Sequence, residues 1–313
     1  MNKAVALAPY SIRIAEHHSR DEEELDDFNE GNDLLDFFRD MLGELKKKEW
    51  VDEKEHKMLG VRQYSAAGDR QLHGIFEYGE YGTESVIKDA VERKAVFDKA
   101  RTHADMQRFY FLVSLPKNRT KGILILQKSG NVGIATQLKT VFANKLEIAF
   151  PEHRIRLRPL STQQIFNRCI DRGDLREIRM IRFRLPKGIE DAYRTGHQEV
   201  KGLYELVIKI RNAKGMPFGR KVKDFLAGKG SLNELIELGD EQFAPENIKF
   251  ELSVRGKRRT VSMHDPRDVE AVIDITDMVD SHRDGYPRFE SIDAQAVDLL
   301  GDLEAELYGP GGA

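Results

Sequence analysis

Two apolar runs, RFYFLVS at 108–114 and KGILILQ at 121–127, constrain the fold of this chain more than any other feature. Each is short and rich in aromatic or branched residues, as strands are. Pro116, Asn118 and Gly122 lie in the link between them, so the pair reads as a hairpin. Other strand pairs recur along the chain among helical segments. That mixture predicts an α+β fold, not a doubly wound one, with mixed or antiparallel sheets and flanking helices.

The remaining elements follow from spacing. Residues 3–16 alternate around Val5, Leu7, Ile12 and Ile14, and Pro9 demotes the strand to an edge or a bent one. The acidic run SRDEEELDDFN at 19–29 is a loop or the start of a helix. Residues 32–48 keep Leu34, Leu35, Phe38, Met41, Leu42 and Leu45 on one side of a helix. Asn32 or Asp33 caps its start, and Lys46, Lys47 and Lys48 suit its C-terminal end. KMLGVRQYSA and LHGIFEYGEY are strands about an AAGDR turn. The charged stretch 89–106 reads as a helical crossover. Further on come a KSGNVG loop, a helix over 134–149, the strand HRIRLRPL and the helix STQQIFNRCI. Then follow the strands LREIRMIRFRL and LYELVIKI, a helix over 218–227 and a hairpin over 247–263 with RGKRR at its tip. A last amphipathic helix covers 291–307, with Ala294, Val297, Leu299, Leu300, Leu303 and Leu307 as its stripe for the core or for a second subunit. Two subdomains are expected. An N-terminal α+β part covers 1–152 and has an acidic start. A C-terminal α+β part covers 153–313, with basic strands over 153–225 and an acidic final segment.

Charge is where function first shows. Lys and Arg number 50 and Asp and Glu 53, for a net charge of −3. Divided along the chain, the net is −7 over 1–60, +5 over 61–150, +10 over 151–230 and −11 over 231–313. A basic middle between acidic ends suggests a polyanion-binding face, with acidic segments that shield it. The single cysteine, Cys169, allows no internal disulfide and suits a reducing compartment. The opening MNKAVALAPYSIRIAEH lacks the apolar block of a secretory signal, and no stretch approaches a membrane span. A cytoplasmic protein without direct membrane insertion is expected.

The basic residues have a pattern. Arg154, Arg156 and Arg158 recur at spacing two, so on a strand they leave one face while Ile155 and Leu157 leave the other. Arg182 and Arg184 repeat the spacing, as do Lys209 and Arg211. Arg220, Lys221 and Lys223 open the next helix. Guanidinium groups at a repeat of about 6.6 Å can follow a phosphate backbone. The plainer alternative is a solvated strand face paired with the acidic segments. Lys128, Gly130 and Gly133 form a second candidate, a glycine-bearing loop before a helix that could offer amides to a phosphate. It lacks the Gly-Lys-Ser/Thr ending of a P-loop and the spacing of a dinucleotide fingerprint, so a simple tight turn competes with it. Catalytic and metal patterns are thin. His17 and His18 are adjacent and point apart, His264 and Asp265 fall in a loop, and Cys169 lies in an apolar pattern. No G-x-S-x-G elbow and no HExxH is present. No enzyme, no metal and no cofactor are expected.

The order of these features over 105–230 resembles phage-exclusion proteins of the RexA type and, with them, the KwaB-like DNA-binding subunit of the Kiwa defence system. The strand pair RFYFLVSL and KGILILQ leads to the G-x-x-G turn and helix SGNVGIATQLKTVF. RIRLRPLS, RMIRFRLP and LYELVIKI follow in turn. The resemblance implies a non-enzymatic, sequence-tolerant binder of duplex DNA, rather than RNA, that acts as a homodimer. It would serve as a sensor in antiphage defence and report to a membrane or other defence effector protein. It carries that role to Arg154, Arg156, Arg158, Arg182, Arg184, Lys209 and Arg211. Two alternatives stay open: a protein-interaction or scaffold subunit of a defence complex, and a metal-dependent nuclease.

Overall fold

The computed structural model describes residues 4–130, 132–160, 173–182, 204–209, 247–254, 257–263 and 269–309. It is an α+β protein with two compact units, Met1–Arg158 with Thr276–Ala313, and Pro159–Ile275. The expected single cut at 152/153 is replaced by two boundaries. The PEH interruption turns the chain into a strand that still belongs to the first unit, and the last helix returns there too.

The first unit contains β1 (Val5–Glu16), α1 (Leu34–Lys47), β2 (Trp50–Asp52), β3 (Lys57–Gly68), β4 (Gln71–Glu80), β5 (Ser85–Lys88) and β6 (Ala95–Lys99). It continues with β7 (Asp105–Ser114), β8 (Gly122–Ser129), α2 (Ala135–Ala149) and β9 (His153–Pro159). After a 3-10 turn at Thr276–Met278, α3 (Phe289–Leu307) completes it. Its main sheet has the order β9-β1-β8-β7-β4-β3-β2, and β5 and β6 form a separate ribbon. The expected hairpin is β7 and β8, paired antiparallel with Phe111 opposite Leu126.

The central strands are apolar throughout because both faces are covered. Phe109 to Ser114 and Gly122 to Gln127 are all buried. Phe111 meets Phe38 of α1 at 6.3 Å and Phe76 of β4 at 4.5 Å, and Phe38 meets Phe142 of α2 at 5.1 Å. On the other face Tyr110 and Ser114 reach side chains of α3. Helix α1 buries the six side chains expected of it, each worth about 2 kcal/mol. Of the two possible caps Asp33 serves: its side chain accepts from the Leu35 N–H at 2.8 Å.

The structure corrects several expectations. Pro9 is not on an edge strand. It is buried opposite Ile125, in a strand that lies between β8 and β9. The β8 ladder loses no donor: the Gly130 N–H donates to the Ala4 carbonyl and the Val5 N–H to Thr276, so at Pro9 the nitrogen faces away from β8. Residues 89–106 form no helical crossover. β5 and β6 make a hairpin there, around Asp89, whose carboxylate accepts from the Val91 and Glu92 N–H groups. The β-branched and aromatic pairs Val86-Ile87 and Val96-Phe97 favour strand over helix. The acidic run 19–29 is a loop held by buried Leu25 and Phe28. In α3, Leu299, Leu300 and Leu303 are buried against the unit's own sheet, while Ala294 and Val297 are exposed.

The second unit is described as an antiparallel sheet, β11-β10-β12-β13-β14. Its strands are β10 (Gly173–Arg182), β11 (Tyr204–Lys209), β12 (Asn247–Val254), β13 (Lys257–Met263) and β14 (Val269–Asp274). Val254 pairs with Lys257, so Lys257, Arg258 and Arg259 belong to a strand and not to the hairpin tip. The expected helices over 161–170 and 218–227, with Cys169, lie outside the described residues, as do His264 and Asp265.

Candidate nucleic-acid interface

Strand β9 keeps its sequence alternation in space. His153, Ile155 and Leu157 are buried, Arg154 and Arg156 are half-buried, and Arg158 is exposed. The strand pairs with β1 in the sheet, and two further hydrogen bonds join the same stretch. The His17 N–H donates to the Glu152 carbonyl at 2.8 Å, and the Ser11 hydroxyl donates to the Arg158 carbonyl at 3.4 Å. The two strands therefore run in opposite directions, and β9 lies along the stretch of β1 that carries Arg13.

The acidic loop 19–29 closes over one end of this arginine row. Its own backbone anchors it: the Glu23 N–H donates to Ile14 O at 3.0 Å, and the Leu25 N–H to Arg119 O at 2.7 Å. Arg154 donates through Nη2 to the Ser19 carbonyl at 2.9 Å. Arg13 pairs with Glu22 at 2.5 Å, and Glu23 Oε1 lies 3.0 Å from His153 Nε2. Burial, and then the neighbouring Arg13 charge, lower the Lys121 ammonium below its ordinary range, while Glu22 opposes them. Five cationic side chains are thus gathered around this edge: Arg13, Lys121, Arg154, Arg156 and Arg158. Among the described residues Arg156 and Arg158 form no ion pair and no side-chain hydrogen bond. They are the cations left for a ligand.

The other basic positions are distributed differently. Arg182 and Lys209 end adjacent strands of the second unit, but the register puts them at opposite ends of the paired stretch. Arg182 is opposite Tyr204, and Lys209 is opposite Glu177. Arg184, Arg211, Arg220, Lys221 and Lys223 lie outside the described residues.

The Lys128, Gly130 and Gly133 loop spends several amides on its own backbone. Ser129 and Val132 exchange N–H to carbonyl bonds at 2.9 and 3.1 Å, and the Gly130 N–H donates to Ala4 O at 2.7 Å. Gly130 has φ +60°, the left-handed region that suits glycine. At Gly133 a Cβ would sit 3.3 Å from the Lys128 stem, which lies alongside it. This is the chemistry of a tight turn before α2.

A groove of about 540 Å³ in the same unit is lined by Arg70, Lys117, Arg119, Asp69 and Glu304, among others. Arg70 is paired with Asp33, Glu304 accepts from the Ser114 hydroxyl at 2.7 Å, and Arg119 lies 5.2 Å over the Tyr308 ring. Among the described residues no cluster of three or more His, Cys, Asp or Glu side chains is placed to hold a metal. No helix among them is long and apolar enough to cross a membrane.

Sequence reasoning missed Arg13 and Lys121 as members of the basic edge. Arg13 stands alone in its strand, and Lys121 precedes an apolar run, so neither belongs to a row. No protein-family model matches the chain, and no curated protein matches it.

Proposed function

We propose that this protein binds nucleic acid, duplex DNA in particular, through the β9 edge, with little sequence preference. The observation that carries the reading is the alternation on β9. Ile155 and Leu157 anchor the strand in the core, which holds Arg156 and Arg158 outward at the strand repeat. Rigidly spaced guanidinium groups suit phosphates, and no base-reading element is invoked. The +10 net charge over 151–230 supports the reading. The acidic loop supports a further point. Glu22 beside Arg13, and the Ser19 carbonyl on Arg154, restrain the row and set a threshold against weak anions. The resemblance of the sequence pattern over 105–230 to RexA-type and KwaB-like proteins favours a cytoplasmic homodimeric sensor in antiphage defence that reports to a membrane or other defence effector protein.

Fluorescence anisotropy with duplex DNA and duplex RNA across a salt series tests this. Affinity is expected to fall steeply with salt, and to be similar for unrelated sequences. Arg156→Glu and Arg158→Glu are expected to weaken binding uniformly across sequences. Absence of binding to either duplex at low salt would refute the reading.

A second reading, a protein-interaction role, is favoured by the β5–β6 hairpin. Val86, Ile87, Val96 and Phe97 are each about half exposed, and Val91 at the turn is 91% exposed. Apolar side chains gathered on an exposed ribbon are suited to contact with a second copy of the chain. Light scattering of the wild type and of Ile87→Glu/Phe97→Glu checks it. A dimer that the double variant splits supports the contact, and a monomeric wild type removes it.

A further inference from the structure

Ser65, His73 and Asp293 are joined in one hydrogen-bonded chain on the α3 side of the first unit's sheet. Ser65 and His73 are direct cross-strand partners in β3 and β4. His73 Nε2 lies 2.9 Å from Ser65 Oγ, and its Nδ1 lies 2.6 Å from Asp293 Oδ1. The same carboxylate oxygen accepts from the Tyr110 hydroxyl at 2.6 Å. Tyr110 is fully buried. Burial, and then the Asp293 carboxylate, raise its hydroxyl well above its ordinary range, so it stays a donor. Asp293 is thereby held in place. The Phe289 ring stands edge-on to His73 at 5.0 Å and fixes the imidazole from α3. Side-chain exposure is 15% for His73 and 24% for Asp293, whereas Ser65 is exposed.

The order of roles follows from the donors. The carboxylate can only accept, so Nδ1–H donates to it, Nε2 is the acceptor and the Ser65 O–H is the donor. A nucleophile within reach of a base, and a base oriented by a third group, is the arrangement of acyl-transfer hydrolases, and it is recognised by geometry and not by sequence position. We propose that Ser65 is a nucleophile, His73 its general base and Asp293 the group that orients the base, and that the site cleaves carboxylic esters. Ser65 Oγ attacks the ester carbonyl carbon as its proton passes to His73 Nε2. The bond to the alcohol oxygen breaks, and the alcohol leaves with that proton. Water then attacks the acyl-serine carbonyl and gives a proton to Nε2. The carboxylic acid departs as Ser65 Oγ takes the proton back.

Ser65 lies on an exposed part of its strand. β2 covers β3 only at Lys57–Leu59. Among the described strands none pairs residues 60–68 on that side, and Ser65 itself is exposed there. The site is open to solvent, which suits small or exposed esters. None of it involves the arginine row, so the proposal stands or falls apart from nucleic-acid binding.

The test is covalent labelling of the full chain with a fluorophosphonate, in which Ser65 Oγ would displace fluoride from phosphorus. Intact mass and peptide mapping give the readout. The expected result is one adduct on Ser65 in the wild type and none in Ser65→Ala. His73→Gln and Asp293→Asn should label roughly 100-fold more slowly. Hydrolysis of p-nitrophenyl acetate should follow the same order. Ser65 is exposed, so Ser65→Ala keeps the fold, and thermal unfolding verifies this. If the histidine or aspartate variant does not fold, wild type against Ser65→Ala still decides. A wild type that carries no adduct on Ser65 overturns the proposal and leaves the three residues as a clip between β3, β4 and α3. A folded His73→Gln that labels as fast as wild type overturns the role of the base.

Discussion

Arg70, at the turn between β3 and β4, holds the carboxylate of Asp33 that caps α1. The guanidinium donates through Nη1 to Oδ2 and through Nη2 to Oδ1, the latter at 3.0 Å. Its Nε donates to the Leu115 carbonyl at 2.7 Å, and the Leu115 N–H donates back to the Arg70 carbonyl at 3.1 Å. One side chain thus ties a hairpin turn, a helix start and the end of β7. Arg70 has φ +60°, so the turn that presents it is itself unusual for a side-chain residue.

This pair makes stability depend on pH in a defined direction. Burial opposes the charge on Asp33, but the hydrogen bonds from Arg70 and the Leu35 N–H, with the Arg70 charge, outweigh it and lower the carboxyl below its ordinary range. A lowered folded value means that the stability is present above the unfolded value, ~3.9, and is lost as pH falls through the folded one. Asp33→Asn is expected to cost about 3 kcal/mol at pH 7, since it leaves Arg70 largely buried and unpaired. The gap between wild type and variant should narrow below pH ~4. Urea unfolding of both proteins from pH 7 to pH 3 measures it. A gap that does not change with pH would mean that the pair contributes no charge-dependent stability.

Gly74 is a point where two backbones come too close for a side chain. A Cβ there would sit 2.2 Å from the Gln63 carbonyl oxygen and 2.8 Å from Phe111 Cε1. The bulge between Val61 and Gln63 in β3 lies at the same crossing. Gly74→Ala is expected to destabilise the first unit by about 1–3 kcal/mol, as overpacking does. Chemical denaturation followed by fluorescence of the single tryptophan, Trp50 in β2, reports it.

The three β9 arginines should separate into two kinds. Arg154 is committed to the Ser19 carbonyl, so Arg154→Ala should lower the melting temperature and release the acidic loop. Arg156→Ala and Arg158→Ala should leave melting unchanged and lower the slope of log affinity against log salt by about 1 each. Equal effects of all three on DNA affinity would show that the loop does not restrain Arg154.

The β5–β6 ribbon should be dispensable for folding. Its base is clamped without it, by the Gly82 N–H to Arg101 O at 2.7 Å and Arg101 Nε to Gly82 O at 3.2 Å. Replacing residues 86–98 with a short Gly-Ser link is expected to change stability by less than about 1 kcal/mol at low protein concentration. Calorimetry compares the two chains. A large loss would mean that the ribbon is part of the cooperative unit.

Local patterning carried much of this fold. The stripe Leu34, Leu35, Phe38, Met41, Leu42 and Leu45 predicted α1 and its buried face, because helical period and burial coincide there. The spacing of Arg154, Arg156 and Arg158 predicted their common face for the same reason, with period two. Patterning failed at 89–106, where charges on an exposed ribbon imitate a helix surface, and at Pro9 for the edge alternative, because its nitrogen faces away from β8 and costs that ladder no donor.

What the sequence by itself determined is the set of strands and helices that bury a periodic face, since such a face is encoded within a few consecutive residues. Only the tertiary structure decided which groups meet. The Ser19 carbonyl and Arg154 are 135 residues apart, and His73 and Asp293 are 220 apart. No local period links residues at such distances. Their contact depends on the loop folding back over β9 and on α3 returning to a sheet built from the first half of the chain.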